Sequence, residues 1–537
     1  TDNGAYFMFF DWTWQARGSS WATLPTSTQF ASPQGGPEDA LRMTAAYFKS
    51  IGLSIGYYQL DAWWYEMYCA CAGRCTTGAS MAPGSAPLTC RSNSNSCIQN
   101  FTANATYFPS GLEALSRELG AGFHLYHHFF CPVKSNNAYP NFRFLDSGRT
   151  WNNFQEVANS YVDPSQSLAF YRRIFEPGGV QAQVAFEIDY LSSWADNPYF
   201  RSQLEAASPW LGGMSAAAVE AGVPPQLCMP YPRHVLESLR LDGVTQVRAS
   251  TDYPSPKNFF DFGHTTLLST ALGLSPSKDN FRSKRCSNCN FGGRKNSEMN
   301  ALLAALSRGV VGISDGPGQS DLELIRRLVT SKSSRILRPS QSVIALDASY
   351  AIDPARRPDG DVWTAQTTLP APQEFEALPP THFVMGIGNE HSTGRGYVLQ
   401  REDLGLSSEY VVRAIGSSEP FQSSCADGAM NTVGPLPNFC VQPFSRDSSR
   451  QGPFLTLPWQ NQSDANAWSG VTASFHYDFL TLYPLVNGFV LLGEMDKYVS
   501  VSETRFRAAW LRDGELEVVV PGDPGEVVFI TALVPYN

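Results

Sequence analysis

The stretch Val184-Ala185-Phe186-Glu187-Ile188-Asp189 is a short apolar run that ends on a carboxylate. Later in the chain, Thr245-Gln246-Val247-Arg248 is followed by Ala249-Ser250-Thr251-Asp252, so a second short run is followed by an acid. Runs of this length, bounded by polar residues, are typical of strands that are buried on both faces. We therefore predict that both are strands of one parallel sheet and that each brings an acid to its carboxyl end.

Similar short runs recur through the first 330 residues, and amphipathic stretches such as Pro37–Ser50 and Pro164–Phe175 lie between them. The seventh run, His264–Leu272, also fits a helix. Strands that alternate with helices predict an α/β fold, and eight such units predict a (β/α)8 TIM barrel. The eight predicted strands are Tyr6–Asp11, Ile55–Asp61, Gly122–His127, Val184–Asp189, Gln226–Met229, Thr245–Arg248, His264–Leu272 and Gly309–Ser314.

The pattern changes at about residue 337. Segments with alternating apolar and polar residues, such as Tyr410–Ala414 and Leu516–Val520, are separated by turn-forming Gly, Pro, Asp and Ser. This pattern predicts a C-terminal antiparallel β-sandwich. The 537 residues are thus expected to form a barrel at 1–336, with a Cys-rich loop insertion at 64–108, and a sandwich domain at 337–537.

Composition limits the partners of the chain. With 39 basic and 49 acidic side chains, its formal net charge is −10, which argues against binding to nucleic acid. No run approaches the roughly 18 apolar residues that would cross a bilayer. Aromatic residues make up 12% of the chain, enough to fill a core and also to cover the C–H faces of a sugar. Nothing in the sequence indicates an oligomeric state, and the basic run from Lys278 to Arg294 is interpreted as a solvated face.

Cysteine and asparagine patterns indicate the secretory route. Three glycosylation sequons begin at Asn100, Asn104 and Asn461, and two of them adjoin a dense cysteine cluster. A metal site is the alternative for this cluster, but no histidine lies at ligand spacing within it, so disulfides are favoured. The chain opens on a strand-like run, which we interpret as a mature or trimmed secreted product. The clustered cysteines are Cys69, Cys71, Cys75, Cys90 and Cys97.

The other cysteines are expected to fall into two groups. Cys425 with Cys440, and Cys286 with Cys289, are close enough in sequence to form local bridges. The count of 11 cysteines is odd, so at least one thiol has no partner within the chain. Cys131 and Cys228 adjoin apolar strands and are predicted to be buried free thiols.

Polar residues gather at the predicted carboxyl ends of the strands, where barrel enzymes build their sites. Unpaired buried carboxylates cost several kcal/mol, so packing alone does not explain them. No HxH or HExxH spacing indicates a metal. Asp315 either belongs to the site or caps a turn, and the histidines either bind substrate or are structural. The set comprises Asp11, Asp61, His124, His127, Glu187, Asp189, Arg248, Asp252, Asp279 and Asp315.

On these residues the chain resembles glycoside hydrolase family 36, the α-galactosidase and raffinose-synthase group. Glu187-Ile188-Asp189 corresponds to the family's Lys-Val-Asp or Lys-Trp-Asp at strand four, and Arg248–Pro254 to Arg-Ala-Ser-Asp-Asp-Phe-Tyr-Pro at strand six. Ile313–Gly318 is similar to Val-Ser-Asp-Lys-Pro-Gly, and Pro276–Phe281 faintly to Pro-Asp-Trp-Asp-Met-Phe. Two departures stand out: Leu60-Asp61-Ala62-Trp63 keeps one acid of the family's Asp-Asp-Gly-Trp, and Glu187 replaces a lysine.

The resemblance implies a secreted retaining α-glycosidase acting on a carbohydrate by double displacement, with no cofactor and no metal. Asp189 would be the nucleophile and Asp252 the acid/base, as two neighbouring carboxylates in a retaining enzyme require. Two other hypotheses stay open: a catalytically inactive barrel glycoprotein with a sugar-binding or structural extracellular role, and a transglycosylase of the raffinose-synthase type. The expected substrate ligands are Asp11, Asp61, Trp63, His124, Glu187, Arg248 and Asp279.

Overall fold

A computed structural model gives the fold of most of the chain. Within the residues that it describes, a parallel sheet comes first and antiparallel sheets follow it. The described residues are 6–10, 37–61, 64–69, 96–131, 137–146, 160–176, 182–195, 197–203, 205–250, 262–283, 294–351, 361–388, 397–406, 408–415, 439–442, 455–457 and 476–535.

Eight parallel strands form one sheet in the order β7-β6-β5-β4-β3-β2-β1-β8. Just past β7, Phe281 makes a parallel bridge with Ile313 of β8, which joins the two ends of this order. Consecutive strands are neighbours, as expected for repeated strand–helix units. The strands are β1 Tyr6–Phe10, β2 Tyr57–Leu60, β3 Gly122–His127, β4 Gln183–Ile188, β5 Pro225–Leu227, β6 Gln246–Arg248, β7 Ser275–Ser277 and β8 Val311–Ile313.

Helices connect these strands. The first, α1, begins at Pro37 with two acids in its first turn and ends with Lys49 in its last, so its charges oppose the helix dipole favourably. The helices are α1 Pro37–Ser50, α2 Leu112–Leu119, α3 Ser167–Phe175, α4 Leu191–Ala195, α5 Pro198–Ser202, α6 Ala207–Glu220, α7 Pro232–Glu237, α8 Phe262–Ala271, α9 Arg294–Leu306 and α10 Leu322–Arg326. Short 3₁₀ helices occupy Pro164–Gln166, Ser238–Arg240, Asp347–Ala351 and Glu402–Leu404.

The prediction for the seventh strand was wrong. The run His264–Leu272 lies in helix α8, and the seventh strand is the three-residue β7 that follows it. Leucine and alanine favour a helix over a run of this length, whereas Ser275-Pro276-Ser277 has no apolar pattern that would mark it as a strand. Each of the other seven predicted strands overlaps an observed strand of the parallel sheet; five contain it whole, and β4 and β5 begin one residue before the predicted start.

Two short antiparallel pairs interrupt the parallel region. Tyr65–Cys69 pairs with Ser96–Ala103, so the segment predicted as a loop insertion at 64–108 contains a hairpin-like pair. Phe144–Asp146 pairs with Ser160–Val162. A disulfide between Cys97 and Cys131 ties the first pair to the end of β3.

The later part of the chain is antiparallel, as predicted. Its main sheet has six strands in the order β9-β10-β11-β14-β12-β13. They are β9 Gln341–Ala345, β10 Asp361–Thr367, β11 Thr381–Gly388, β12 Glu409–Ile415, β13 Phe439–Gln442 and β14 His476–Leu485. Smaller pairs join Tyr397–Leu399 to Leu455–Leu457, Val490–Gly493 to Thr531–Leu533, and Ala508–Arg512 to Glu515–Val519.

One large hydrophobic cluster extends through both regions, and two smaller ones lie within the later region. Phe186 and Leu303 from the parallel region belong to the same buried cluster as Trp363, Phe383 and Met385 from the antiparallel sheet. The domain boundary predicted after residue 336 is therefore crossed by packed side chains. In the described part of the chain, no helix combines the length and apolar character needed to cross a membrane.

Candidate active site

One face of the parallel sheet is lined by polar side chains. Nε2 of Gln59 on β2 donates to Oε2 of Glu187 on β4, over the intervening strand β3. In the same way, Nε2 of Gln226 on β5 donates to Oγ of Ser277 on β7, over β6, at 3.0 Å. Side chains that meet over an intervening strand must lie on the same face of the sheet. We call this the inner face; by register it also carries His124 and Tyr126, Gln246 and Arg248.

Asp189 lies one residue beyond β4, at the carboxyl end of the sheet, and is 5% exposed. Its Oδ2 accepts a hydrogen bond of 2.7 Å from the Tyr126 hydroxyl, and its Oδ1 accepts one of 2.6 Å from the backbone N–H of Tyr190. Tyr190 has a φ of 58°, in the left-handed region that is uncommon for a residue other than glycine. The carboxylate is thus held in one orientation by two donors.

Glu187 lies two residues before Asp189 and therefore on the same face of β4. It is 3% exposed. Burial, assisted by the nearby charge of Asp189, raises the pKa of the Glu187 carboxyl to about 8, although Arg248 and a hydrogen bond from Cys228 act in the opposite direction. This direction favours the protonated acid, which can donate as well as accept a hydrogen bond.

Asp61, one residue beyond β2, lies near Asp189. Burial is the main reason that the pKa of Tyr65 and of Tyr126 is raised, and the charges of Asp61 and Asp189 raise both further. The two acids therefore share an environment lined by the same phenols. Sequence analysis listed Asp189 as the nucleophile and Asp61 as a substrate ligand, but did not single out either tyrosine.

A second group of polar side chains lies at the carboxyl ends of β6 and β7. Nη1 of Arg248 lies 3.8 Å from Oδ1 of Asp279, and the backbone N–H of Asp279 donates to Oγ of Ser250 at 2.8 Å. Lys278 is 3% exposed, and its Nζ donates to the backbone oxygen of Asp279 at 3.3 Å. Burial lowers the pKa of Lys278 to about 8. The expectation of a solvated basic run is therefore wrong at its first residue, because Lys278 directly follows a buried strand.

Asp315 belongs to a different set of contacts. Its Oδ1 accepts from the backbone N–H of Ser283 at 2.9 Å, and its Oδ2 accepts from the Ser283 hydroxyl. The same hydroxyl oxygen accepts from the backbone N–H of Asp321, whose side chain caps α10. Burial raises the pKa of Asp315, with Ser283 acting against it. These contacts join Asp315 to Ser283 after β7, 32 residues earlier in the chain, and its role in the site stays a prediction.

Two histidines lie in β3 and a third follows it directly, and the three have different surroundings. His124 is on the inner face beside Tyr57, with ring centroids 5.7 Å apart, and burial lowers its pKa to about 3. His127 is packed among aromatic rings, including Phe130 and Phe186. Nδ1 of His128 lies 2.7 Å from the Tyr65 hydroxyl. All three are neutral at physiological pH, and only His124 shares the face of Glu187.

The cysteine predictions are partly confirmed. Cys97 forms a disulfide, as expected for the cluster, but its partner is Cys131, which we had predicted to be a free thiol. The bridge joins residues 34 apart in sequence, and Ile98 and Phe130 pair beside it, so only the folded topology brings the two sulfurs together. Cys228 is a buried thiol that forms no disulfide with the described cysteines, as predicted. Cys69 and Cys440 lie in the strands Tyr65–Cys69 and Phe439–Gln442.

The two sequons near the cluster differ. Asn100 is in a strand, where its Nδ2 donates to Glu66 at 3.1 Å and its Oδ1 accepts from the Tyr139 hydroxyl at 3.2 Å. Asn104 is in a turn, and its Oδ1 accepts from the backbone N–H of Thr106 at 3.0 Å. Turn geometry with an exposed threonine suits Asn104 better to carry a glycan, and glycosylation of either residue stays a prediction.

Several predicted residues lie outside the described part of the chain. Among the residues that are described, no group of three or more His, Cys, Asp or Glu side chains is arranged to hold a metal ion. The predicted residues outside are Asp11, Trp63, Asp252, Cys71, Cys75, Cys90, Cys286, Cys289, Cys425 and Asn461.

No protein-family model matches the chain, and no curated protein matches it by sequence. Among solved structures, it is similar to a family 36 α-galactosidase variant from Geobacillus stearothermophilus in complex with stachyose, with a TM-score of 0.45, 11% identity and 89% of this chain covered. The match spans 55% of that protein's length.

Two further structures are similar at lower scores. A glycoside hydrolase family 20 β-N-acetylglucosaminidase matches with a TM-score of 0.31 and 12% identity, over 62% of this chain and 70% of that one. A glucosidase from Croceicoccus marinus matches with a TM-score of 0.26 and 8% identity, over 71% and 82%. These scores are too low to assign the chain to a family.

Proposed function

We propose that the chain is a retaining α-glycosidase resembling the α-galactosidases, built on a closed (β/α)8 barrel. The eight-stranded order and the bridge from Phe281 to Ile313 support closure. Secretion, with disulfides and N-glycans, belongs to the same proposal, as does a carbohydrate substrate. The Cys97–Cys131 bridge supports an oxidising compartment.

Asp189 carries the proposal. It is a buried carboxylate at the carboxyl end of a central parallel strand, and both of its oxygens accept hydrogen bonds from fixed donors, Tyr126 and the backbone of Tyr190. A nucleophile needs this fixed orientation, because its attacking oxygen must meet the anomeric carbon in line with the leaving group. The sequence motif that ends on Asp189 is the one in which the resemblance places the nucleophile.

In the first step, an Asp189 oxygen forms a bond to the anomeric carbon while the glycosidic bond breaks. Asp252 gives its proton to the departing oxygen, so the leaving group departs as a neutral alcohol. In the second step, Asp252 takes a proton from water, which attacks the same carbon and releases Asp189 as a carboxylate. We expect the two carboxyl groups to be about 5–5.5 Å apart, the separation of retaining enzymes.

Side chains around Asp189 would hold the sugar. Asp61 shares the tyrosine-lined environment of Asp189, and Glu187 and His124 lie on the inner face. Arg248 and Asp279 form the opposite side, beyond β6 and β7. Asp11 and Trp63 complete the proposed set by their sequence positions.

The decisive experiment compares the wild type with Asp189→Asn on a panel of aryl α-glycosides. We expect the substitution to lower kcat/KM by at least about 10³-fold, because the covalent intermediate cannot form. The control is Asp361→Asn, another buried aspartate, in the antiparallel sheet; it accepts from Val362 N–H, the Trp363 indole and the Ser349 hydroxyl, and its Oδ2 lies 3.0 Å from Nε2 of His264. It should lose stability and keep its activity per folded molecule.

Rescue chemistry separates a nucleophile from a merely structural acid. In Asp189→Gly, added azide can enter the space of the missing carboxylate, attack the anomeric carbon and yield a β-glycosyl azide. Undiminished turnover by Asp189→Asn would refute the assignment. Sugar binding without turnover by the wild type would favour the non-catalytic glycoprotein, and sugar transfer to an added acceptor would favour the transglycosylase.

A further inference from the structure

Lys278 directly follows β7 and is 3% exposed, yet its ammonium group has few partners. In the part of the chain that the structure describes, its Nζ forms no ion pair, and its hydrogen bond is to the backbone oxygen of Asp279 at 3.3 Å. An ammonium group has three donors and is costly to bury without acceptors. Two donors of Lys278 are therefore available to a group that is not part of the described chain.

A second buried lysine shows how a structural ammonium is bonded in this protein. Lys497 is 5% exposed, and its Nζ donates to the backbone oxygen of Arg326 at 2.9 Å. The same Nζ pairs with Oδ2 of Asp496, also at 2.9 Å. Both contacts are shorter than the contact of Lys278, and one of them brings an opposite charge. Lys278 therefore differs from a structural lysine in lacking, among the described residues, both a close acceptor and an ion-pair partner.

The carboxylate next to Lys278 is engaged by other groups. Oδ1 of Asp279 accepts from Nδ2 of Asn280 at 3.1 Å and lies 3.8 Å from Nη1 of Arg248. Burial lowers the pKa of Lys278, the charge of Asp279 opposes this change, and the charge of Arg248 adds to it. Two cations, Lys278 and Arg248, thus act on one carboxylate, and their combined positive charge exceeds its negative charge.

The candidate site is divided by charge. Asp61 follows β2, and Glu187 and Asp189 lie at the end of β4, whereas Arg248 and Lys278 lie at the ends of β6 and β7. By register, Arg248 is on the inner face with Glu187, and the charge of Arg248 acts on Lys278. A sugar with a negative substituent would be oriented by this division, with the substituent toward β6 and β7.

We propose that Lys278, with Arg248 beside it, binds a negatively charged substituent of the sugar, a carboxylate or a sulfate ester. This inference rests on the proposed function, because it names the class of substrate as acidic glycosides. The ammonium donates to an oxygen of the substituent, and the planar guanidinium can contact two oxygens at once. A neutral sugar leaves the buried ammonium without this acceptor, so it binds more weakly.

Binding is measured first, by calorimetric titration of the wild type at neutral pH. Galactose, glucose and mannose are each compared with the corresponding hexuronate and the corresponding 6-sulfate. We expect at least one anionic sugar to bind about 10-fold or more tightly than its neutral parent. A preference for a hexuronate identifies the substituent as a carboxylate, and a preference for a 6-sulfate identifies it as a sulfate ester. Equal binding within every comparison, or no binding of any anionic sugar, would overturn the proposal.

Lys278→Met then assigns the preference to the ammonium, because methionine is of similar length and carries no charge. The variant should lose the preference by about 10-fold and melt no lower than the wild type, since the ammonium has a single long hydrogen bond. Lys497→Met is the matched control: it should keep the preference and melt lower, because it loses two contacts of 2.9 Å. A preference that survives in Lys278→Met, or equal destabilisation of both variants, would make Lys278 a structural lysine and refute the subsite.

The failures of the two proposals can be told apart. If anionic sugars bind through Lys278 while no aryl α-glycoside is turned over, the subsite stands and the chain is a sugar-binding protein instead of a glycosidase. If neutral aryl α-glycosides are hydrolysed and the anionic sugars are not preferred, the nucleophile assignment stands and the role of Lys278 is wrong.

Discussion

The inner face of the parallel sheet and the core of the antiparallel sheet are both buried, yet they are built from opposite kinds of side chain. The inner face carries Gln59, Glu187 and Gln246, all nearly inaccessible to solvent. The antiparallel core is formed by aliphatic side chains such as Val384, Val412 and Leu480. Because burying polar groups costs free energy, the inner face should contribute less to stability than the apolar core, and it is the face to which we assign the proposed chemistry.

The largest expected effect on stability comes from the antiparallel core. Leu480 is fully buried on β14 between Val384 and Ala414 in the sheet register, so Leu480→Ala should lower the free energy of unfolding by about 2–5 kcal/mol. Activity per folded molecule should stay unchanged. Denaturant unfolding measures the free energy of unfolding, and an assay on aryl glycosides measures the activity. If Leu480→Ala lowered the activity alone, the assignment of stability to the antiparallel core would be wrong.

The inner face should show the opposite response. Tyr126→Phe removes one donor from Asp189, and we expect kcat/KM to fall by about 10–100-fold. Tyr65→Phe is the matched control, since the Tyr65 hydroxyl contacts His128 instead of Asp189. Equal losses of activity in the two variants would show that the Asp189 contact has no special role.

The smallest effect on stability should come from buried polar side chains that have an atom without a hydrogen-bond partner. Within the described residues, Oε1 of Gln246 has no hydrogen-bond partner, so Gln246→Met should raise the free energy of unfolding by about 1 kcal/mol. Gln226→Met should gain less, because Nε2 of Gln226 donates to Ser277. Thermal unfolding of the two variants compares them directly; destabilisation by Gln246→Met would mean that the inner face is held together by its polarity.

The sequence predicted the elements whose patterns are strong. β4 is almost continuously apolar and ends on an acid, so both the strand and its polar end were recognisable. β7 was not, because Ser-Pro-Ser carries no apolar signal and the adjacent α8 does. The split between a parallel and an antiparallel region followed from the change of apolar spacing near residue 337, since buried and half-buried strands differ in period.

For the candidate site, the sequence indicated which acids lie at the carboxyl ends of the strands, but not which side chains form hydrogen bonds with them. Tyr126 is one of several tyrosines, and only the register between β3 and β4 places its hydroxyl on Asp189. Burial raises the pKa of Glu187, and its hydrogen-bond donor Gln59 lies two strands away in the sheet. Lys278 and Cys131 were misjudged for the same reason, because burial and long-range pairing are properties of the fold.

The contact between Gly263 and Trp363 has a consequence for how the protein could be divided. A Cβ at residue 263 would meet the indole ring at 2.5 Å, so α8 and β10 fit together without space between them. Separating the parallel region from the antiparallel sheet between α8 and β10 would expose the buried ring of Trp363. We expect limited proteolysis to cut loops without releasing an active fragment. If the later sheets were exchanged in evolution, the replacement would have to preserve the close contact between residue 263 and the tryptophan ring.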